Sequence, residues 1–238
     1  MKKRYKKLSI IIPIYNEDRT VDKLINKVLH AKILLKKEII CIDDGSKDNS
    51  VKKLKKFRNK IHLIVHKKNQ GKGAAIRTGI KYASGDIIII QDADLEYEPS
   101  EYTKLITPII KGESYVVYGS RYLSPVGHLK ENNHLTFEIH KLGNHGLSLL
   151  TTILYGHYIT DMETCYKVFD KDIIKKINIK ANKFEFEPEV TAKILRQGIK
   201  IMELPIKYYS RDFNEGKKIT WRDGIMAAWY LIKYRFVN

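Results

Sequence analysis

The chain has 238 residues, 43% hydrophobic and 30% charged, which is enough apolar content for a sizeable core and excludes a disordered chain. Lysine and arginine number 44 against 27 aspartates and glutamates, a formal net charge of +17 that points to a polyanionic partner: nucleic acid, an anionic membrane or a phosphorylated small molecule. Two cysteines, Cys41 and Cys165, exclude a disulfide scaffold and a four-cysteine zinc site, and they fit a reducing, cytoplasmic compartment.

The basic start, Met1 to Lys7, leads into an apolar run from Leu8 to Ile14. Pro13 breaks that run and no small-residue cleavage site follows, so no signal peptide is expected. No apolar run approaches the roughly 18 residues of a spanning helix. Leu8 to Pro13 is nearly continuous in apolar character and reads as a strand buried on both faces of a parallel sheet. Val21, Leu24, Ile25, Val28 and Leu29 form a helical stripe. Glu38 to Ile42 is the second strand, and Asp48 or Asn49 caps a lysine-rich helix through Val51, Leu54 and Phe57. Ile61 to Val65, a helix over Ala74 to Ala83, and Ile87 to Ile90 follow. Pro99 opens a helix near Glu101 to Lys111, and Tyr115 to Tyr118 is the fifth strand.

Strand and helix alternating at roughly 25-residue spacing is the signature of βαβ units. The expected class is therefore α/β, with a mostly parallel central sheet flanked by helices. After Arg121 the rhythm breaks. Residues 122–165 are rich in Gly, His and Asn, with one apolar stretch from Leu147 to Tyr155. Order resumes with a strand near Tyr166 to Phe169, a helix from Pro188 to Gln197, a strand from Lys200 to Ile206, and a helix from Trp221 to Phe236 with Ile225, Trp229, Ile232 and Phe236 on one face. No linker or repeat divides the chain, so a single domain is expected.

Ligands of open parallel sheets bind at the carboxyl ends of the strands. Those ends here carry Tyr15-Asn16-Glu17, Asp43-Asp44-Gly45-Ser46, Asn69-Gln70-Gly71-Lys72-Gly73 and Asp92-Ala93-Asp94-Leu95-Glu96. Carboxylates gathered at one edge of so basic a chain call for a cation. Asp92 and Asp94 stand two residues apart, Glu96 adds a third oxygen donor, and hard oxygens suit Mg²⁺ or Mn²⁺. Asp44 is placed to accept hydrogen bonds from a base or ribose. Lys72 and the amides opening the third helix are placed near phosphate oxygens, although neither the Walker A spacing nor the dinucleotide fingerprint is present. His128, His134, His140, His145 and His157 fit no metal-binding helix spacing and read as a polar rim.

Ile11-Ile12-Pro13-Ile14-Tyr15-Asn16-Glu17, Ile42-Asp43-Asp44-Gly45-Ser46, Gly85-Asp86 leading to Asp92-Ala93-Asp94 (a DXD motif), and Gly119-Ser120-Arg121-Tyr122 together resemble family 2 glycosyltransferases of the GT-A fold. Their order is close to that of the polyprenyl-phosphate (dolichol-phosphate) mannose and glucose synthases. The resemblance implies a single GT-A domain, with a Rossmann-like nucleotide-sugar-binding half over 1–121, an acceptor half over 122–220 and a C-terminal amphipathic helix over 221–238. It implies a nucleotide-sugar donor, GDP-mannose or UDP-glucose, an inverting transfer and a divalent metal. Pro13, Tyr15, Glu17 and Asp44 would frame base and ribose. Asp92 would meet the donor, Asp94 and Glu96 would hold the metal, and Arg121 would face the diphosphate or the acceptor phosphate. Arg211 and Lys217 would close over the phosphates.

Two departures concern the acceptor. His140 and Lys141 stand where relatives often carry an arginine for the acceptor phosphate, and Asp161-Met162-Glu163-Thr164-Cys165-Tyr166 replaces the usual Asp-Pro-x-Ser-Gly-Phe. Many relatives also carry C-terminal membrane helices that this sequence lacks, which leaves a place for a membrane-protein partner. A lipid phosphate, with a second pKa near ~6, needs no general base. A sugar hydroxyl needs one, for which Asp161 and Glu163 are the candidates. Three readings follow: a polyprenyl-phosphate hexosyltransferase, peripheral at the cytoplasmic face of an anionic membrane; a family 2 enzyme with a glycan or other hydroxyl acceptor; and a basic nucleic-acid-binding module. The last is disfavoured because the lysine runs lack interleaved stacking aromatics, and no specific nucleic acid is expected.

Overall fold

The computed structural model describes residues 4–123, 134–209 and 221–237. In chain order the elements are β1 (Lys7–Ile14), α1 (Val21–His30), β2 (Lys36–Asp43), α2 (Ser50–Leu54), β3 (His62–Val65), α3 (Lys72–Tyr82), β4 (Ile87–Ile90), α4 (Tyr102–Lys111), β5 (Val116–Ser120), α5 (His134–Tyr155), β6 (Lys167–Asp170), α6 (Lys171–Ile174), α7 (Phe186–Arg196), β7 (Met202–Pro205) and α8 (Trp221–Phe236). They build one seven-stranded sheet in the order β3-β2-β1-β4-β6-β5-β7. β1 to β4 are mutually parallel, β6 runs antiparallel to β4 and β5, and β7 is parallel to β5.

The central strands form because their side chains are apolar on both faces. Leu8, Ile10, Ile11 and Ile12 of β1 and all four isoleucines of β4 are fully buried between helices. The order reverses between β1 and β4, because β2 and β3 are added on one side of β1 and β4 on the other. Such a reversal leaves a crevice at the carboxyl ends of the two strands. β1 and β4 pair only as far as Ile11 and Ile90. Pro13, which has no N–H for further pairing, lies just past that point.

The region 122–165 holds more regular structure than its composition suggests. α5 is 22 residues long and begins at His134. Four of its described polar side chains are satisfied locally or across the fold. Ser148, Thr151 and Thr152 donate their hydroxyls to carbonyls four residues back. Asn144 donates to the Thr160 carbonyl and accepts from the Met162 amide. α6 is a single turn whose Asp172 amide is met by the Asp170 side chain.

α5, α7 and α8 pack against one another. α8 spans the expected residues, but its apolar stripe faces outward. Ile225, Trp229, Ile232 and Phe236 are 60%, 57%, 39% and 74% exposed, whereas Ala227, Leu231 and Tyr234 on the opposite side are buried. α5 adds Leu142, Leu149 and Ile153, also exposed and spaced along one helical stripe.

Candidate active site

The first two strand-end loops are stitched together. Asn16, in the left-handed region at φ 56°, donates its amide to Ser46 Oγ (2.9 Å) and accepts from the Lys47 amide (2.8 Å). The Glu17 amide donates to Ser50 Oγ and the Glu17 carboxylate accepts from Thr20. Pro13, Tyr15 and Glu17 are all half-buried.

Asp44 is turned inward. It is 2% exposed and accepts from the Gln70 amide (3.0 Å), the Gly71 amide (2.7 Å) and His66 Nδ1 (2.7 Å), with His66 in turn held by Thr78. Asp44, expected to meet base or ribose, here fixes the glycine-rich loop to β2. Asp43, wholly buried, accepts from the Gly45 and Ser46 amides.

The start of α3 also differs from expectation. The amide of Gly73, one of those expected near phosphate, donates to the Lys183 carbonyl (3.2 Å), and that of Ala74 to the Asn182 carbonyl (3.0 Å). The glycines are there for that close approach: a Cβ on Gly71, at φ +99°, would lie 2.3 Å from the Asn182 oxygen, and one on Gly73 would lie 2.7 Å from the Ala181 oxygen. Lys72, in contrast, reaches the site. Its Nζ is 2.9 Å from Asp92 Oδ1, 3.0 Å from Oδ2 and 3.4 Å from Glu187 Oε1. Burial works to lower its pKa, but Asp92 and then Glu187 outweigh that and hold it well above the ordinary lysine value.

Asp94 and Glu96 share one turn beyond β4. Leu95 between them sits at φ 66°, a conformation that costs a non-glycine residue about 1–3 kcal/mol. The turn is fixed by the Glu96 amide on Asp94 Oδ1 (3.1 Å), by Tyr208 donating to Glu96 Oε2 (2.8 Å), and by the Tyr209 amide on the Glu96 carbonyl. Asp92, Asp94 and Glu96 do not converge as a set of three, and among the described residues no group of three His, Cys, Asp or Glu side chains does so. Lys72 engages both oxygens of Asp92. Asp94 and Glu96 remain a pair of hard oxygen donors on one turn, a donor set that fits Mg²⁺ or Mn²⁺ completed by water and phosphate oxygens.

At the end of β5, Arg121 meets Asp161 bidentately. Its amide and Nε donate to Asp161 Oδ2 (2.9 and 2.7 Å) and Nη2 to Oδ1 (2.7 Å). The guanidinium also lies 5.1 Å from the Tyr208 ring centroid. Desolvation opposes the charge, but Asp161 holds the Arg121 pKa well above its usual value. Nη1 makes no hydrogen bond among the described residues. Asp161 is completely buried and the Arg121 fork engages both its oxygens, an arrangement that fixes the guanidinium in place.

Sequence reasoning missed the support beneath this edge. Lys167, fully buried in β6, lies 2.6 Å from Glu187 Oε2 and donates to the Met162 (3.0 Å) and Thr164 carbonyls. Glu203 accepts from the amides of Thr160 and Asp161. The one available signal was a lysine inside the apolar run Tyr166 to Phe169. His145 and His157 bond to Tyr158 and to the Ile201 carbonyl. The side chains of His140 and Lys141, and all of Arg211 and Lys217, lie outside the described residues, as does His128.

The model of the family described as Glycosyl transferase family 2 matches residues 9–177. A UDP-N-acetylglucosamine–dolichyl-phosphate N-acetylglucosaminyltransferase of Methanococcus voltae is 32% identical over 222 residues, covering 85% of this chain and 85% of that protein. An undecaprenyl-phosphate 4-deoxy-4-formamido-L-arabinose transferase of Salmonella choleraesuis is 29% identical over 218 residues, covering 89% of this chain and 62% of that protein. Glucosyl-3-phosphoglycerate synthase of Mycobacterium tuberculosis, solved with Mn²⁺ and UDP-glucose, superposes with a TM-score of 0.70 at 16% identity, covering 97% of this chain and 79% of that one.

Proposed function

The chain belongs to glycosyl transferase family 2, and we propose that it moves a hexose from a nucleoside-diphosphate sugar, GDP-mannose or UDP-glucose, to a polyprenyl phosphate at a membrane surface. Both sequence relatives are named for transfer onto a lipid phosphate. The observation that carries the choice of acceptor is the Arg121–Asp161 clamp. It removes the buried aspartate from duty as a base and leaves Arg121 Nη1 available for an oxyanion. A lipid phosphate, largely ionised at neutral pH, is a nucleophile that needs no base.

In this reading Pro13, Tyr15 and Glu17 frame the base and ribose at the β1 end of the crevice. Lys72 orients Asp92 toward the donor and lends positive charge near the diphosphate. Asp94 and Glu96 would hold Mg²⁺ or Mn²⁺, which when bound offsets the charge growing on the departing nucleotide. Arg121 draws in the acceptor phosphate. Transfer forms one bond, from a phosphate oxygen to the anomeric carbon. It breaks one, from that carbon to the β-phosphate oxygen, whose electron pair leaves with the nucleoside diphosphate. By family resemblance Arg211 and Lys217 would close over the phosphates, and His140 and Lys141 stand where relatives often carry an arginine for the acceptor phosphate.

The membrane contact falls to the outward stripe of α8. Its aromatic and aliphatic side chains, with Lys233 and Arg235 beside them, suit an amphipathic helix lying in an anionic interface. Among the described residues no helix is long and apolar enough to cross a membrane. We place this interface at the cytoplasmic face. Incubation with labelled nucleotide sugars, Mn²⁺ and a polyprenyl phosphate tests the function. A labelled product that extracts into organic solvent is expected with one donor. No such product with any donor would overturn the proposal.

A further inference from the structure

Beneath the candidate site, buried charges are matched one against another. Asp92 and Glu187 are met by Lys72, Glu187 also by Lys167, and Asp161 by Arg121. Glu163 is the carboxylate left over. Its Oε1 is enclosed and has no hydrogen-bond partner among the described residues. The charged groups acting on it are Glu187 and Asp161, which repel, and Lys167 and Arg121, which attract but are already committed to those same carboxylates.

Glu163 also lines a cavity of about 160 Å³ between the start of α7 and α8, with Phe184, Pro188, Met226 and Ala227 as apolar wall and Lys183 and Glu185 at its polar side. That is close to the roughly 150 Å³ which accommodates a benzene-sized ligand. α8 is the helix whose opposite side carries the exposed stripe. The cavity thus joins that helix to Glu163, a carboxylate on which the charges of Arg121 and Asp161 act.

Resting on the function proposed above, we infer that Glu163, in its protonated form, donates a hydrogen bond to the acceptor's phosphate and so makes acceptor binding conditional on that proton. A buried carboxylate and a phosphate dianion cannot both stay charged at contact distance without a cation between them. A carboxyl proton removes the conflict and supplies the donor. Burial, with Glu187 repelling, pushes the Glu163 carboxyl up to about 7, so the protonated form is well populated at neutral pH. The proton stays on Glu163 throughout. The phosphate oxygen supplies the electron pair for the new bond to the anomeric carbon, and the nucleoside diphosphate leaves with the pair from the old one.

The test is the pH dependence of KM for a short-chain polyprenyl phosphate in detergent, from pH 6.5 to 9, for the wild type and for Glu163→Gln and Glu163→Ala. In the wild type the acceptor KM should rise about tenfold per pH unit above roughly 7.5, while donor KM stays level. Glu163→Gln, a permanently neutral donor, should turn over with a flat acceptor KM. Glu163→Ala should raise acceptor KM by about tenfold or more at pH 7 and spare donor KM. A wild-type acceptor KM that is flat across this range would overturn the inference without requiring any variant to fold. So would a Glu163→Gln enzyme that melts like the wild type yet loses turnover more than a hundredfold, since that demands an ionised carboxylate acting as a base. If the wild type makes no lipid-linked product with any donor, the proposed function fails first, and this inference with it.

Discussion

Replacing Asp161 by Asn separates a positioning role from a basic one. Asp161 is fully buried, and Arg121, with its side chain 14% exposed, places two side-chain donors and one amide on it. The amide of Asn keeps the shape but presents N–H groups to one edge of the fork and leaves the guanidinium without a buried counter-charge. Removing one partner of a buried ion pair costs about 3–5 kcal/mol. For a chain of this size each kcal/mol shifts Tm by about 2–4 °C, so Asp161→Asn should melt roughly 6–20 °C lower. Arg121→Leu with Asp161→Leu removes both charges and should recover much of that loss while staying inactive. Scanning calorimetry at pH 7 reads the stability, and initial rates below the variant's melting range read the activity. A Tm within about 2 °C of wild type, with turnover lost, would refute the clamp and return Asp161 to the role of base.

Trp229→Glu with Phe236→Glu should weaken sedimentation with anionic vesicles by at least tenfold and leave Tm within about 2 °C, because both side chains already face solvent; unchanged vesicle binding would exclude this face. Burial works against the Glu38 carboxylate, but Lys7, Ser84 and Ser9 hold its pKa down at about 2. Its folded-state value is depressed, so its contribution is present above the unfolded value near 4.5 and is lost as pH falls toward 2. Glu38→Gln should therefore flatten the acid-unfolding slope between pH 4.5 and 2, as read by circular dichroism. Chelation by EDTA should abolish transfer and added Mn²⁺ or Mg²⁺ restore it, whereas Asp94→Asn should blunt the restoration; full turnover in EDTA would remove the metal from the account.

The first half of the fold was legible because its strands are uninterrupted apolar runs. Ile87 to Ile90 has no reading other than a buried strand, and the stripe from Val21 to Leu29 has no other than a helix packed on one face. α5 was not legible, since Gly143, Asn144, Gly146 and Ser148 lower helix propensity, and the contacts of Asn144 with Thr160 and Met162 are ones no local pattern encodes. The positions of the acidic strand ends were readable, but their tasks were not. Asp44 and Asp92 look alike in sequence, and only the structure shows that their neighbours differ, His66 and the Gln70–Gly71 amides for one and Lys72 for the other. Arg121 and Asp161 are 40 residues apart, and their pairing depends on β5 lying next to β6 in the sheet. The stripe on α8 was visible as a pattern, yet periodicity alone does not say whether such a face meets core or solvent.

The central claim is that sugar passes from nucleotide to lipid phosphate. Phosphorus NMR of the acceptor during turnover tests it most directly. The account requires the phosphomonoester resonance to diminish as a phosphodiester resonance and free nucleoside diphosphate grow in equal amounts. Nucleoside diphosphate released while the phosphomonoester resonance stays unchanged would contradict it.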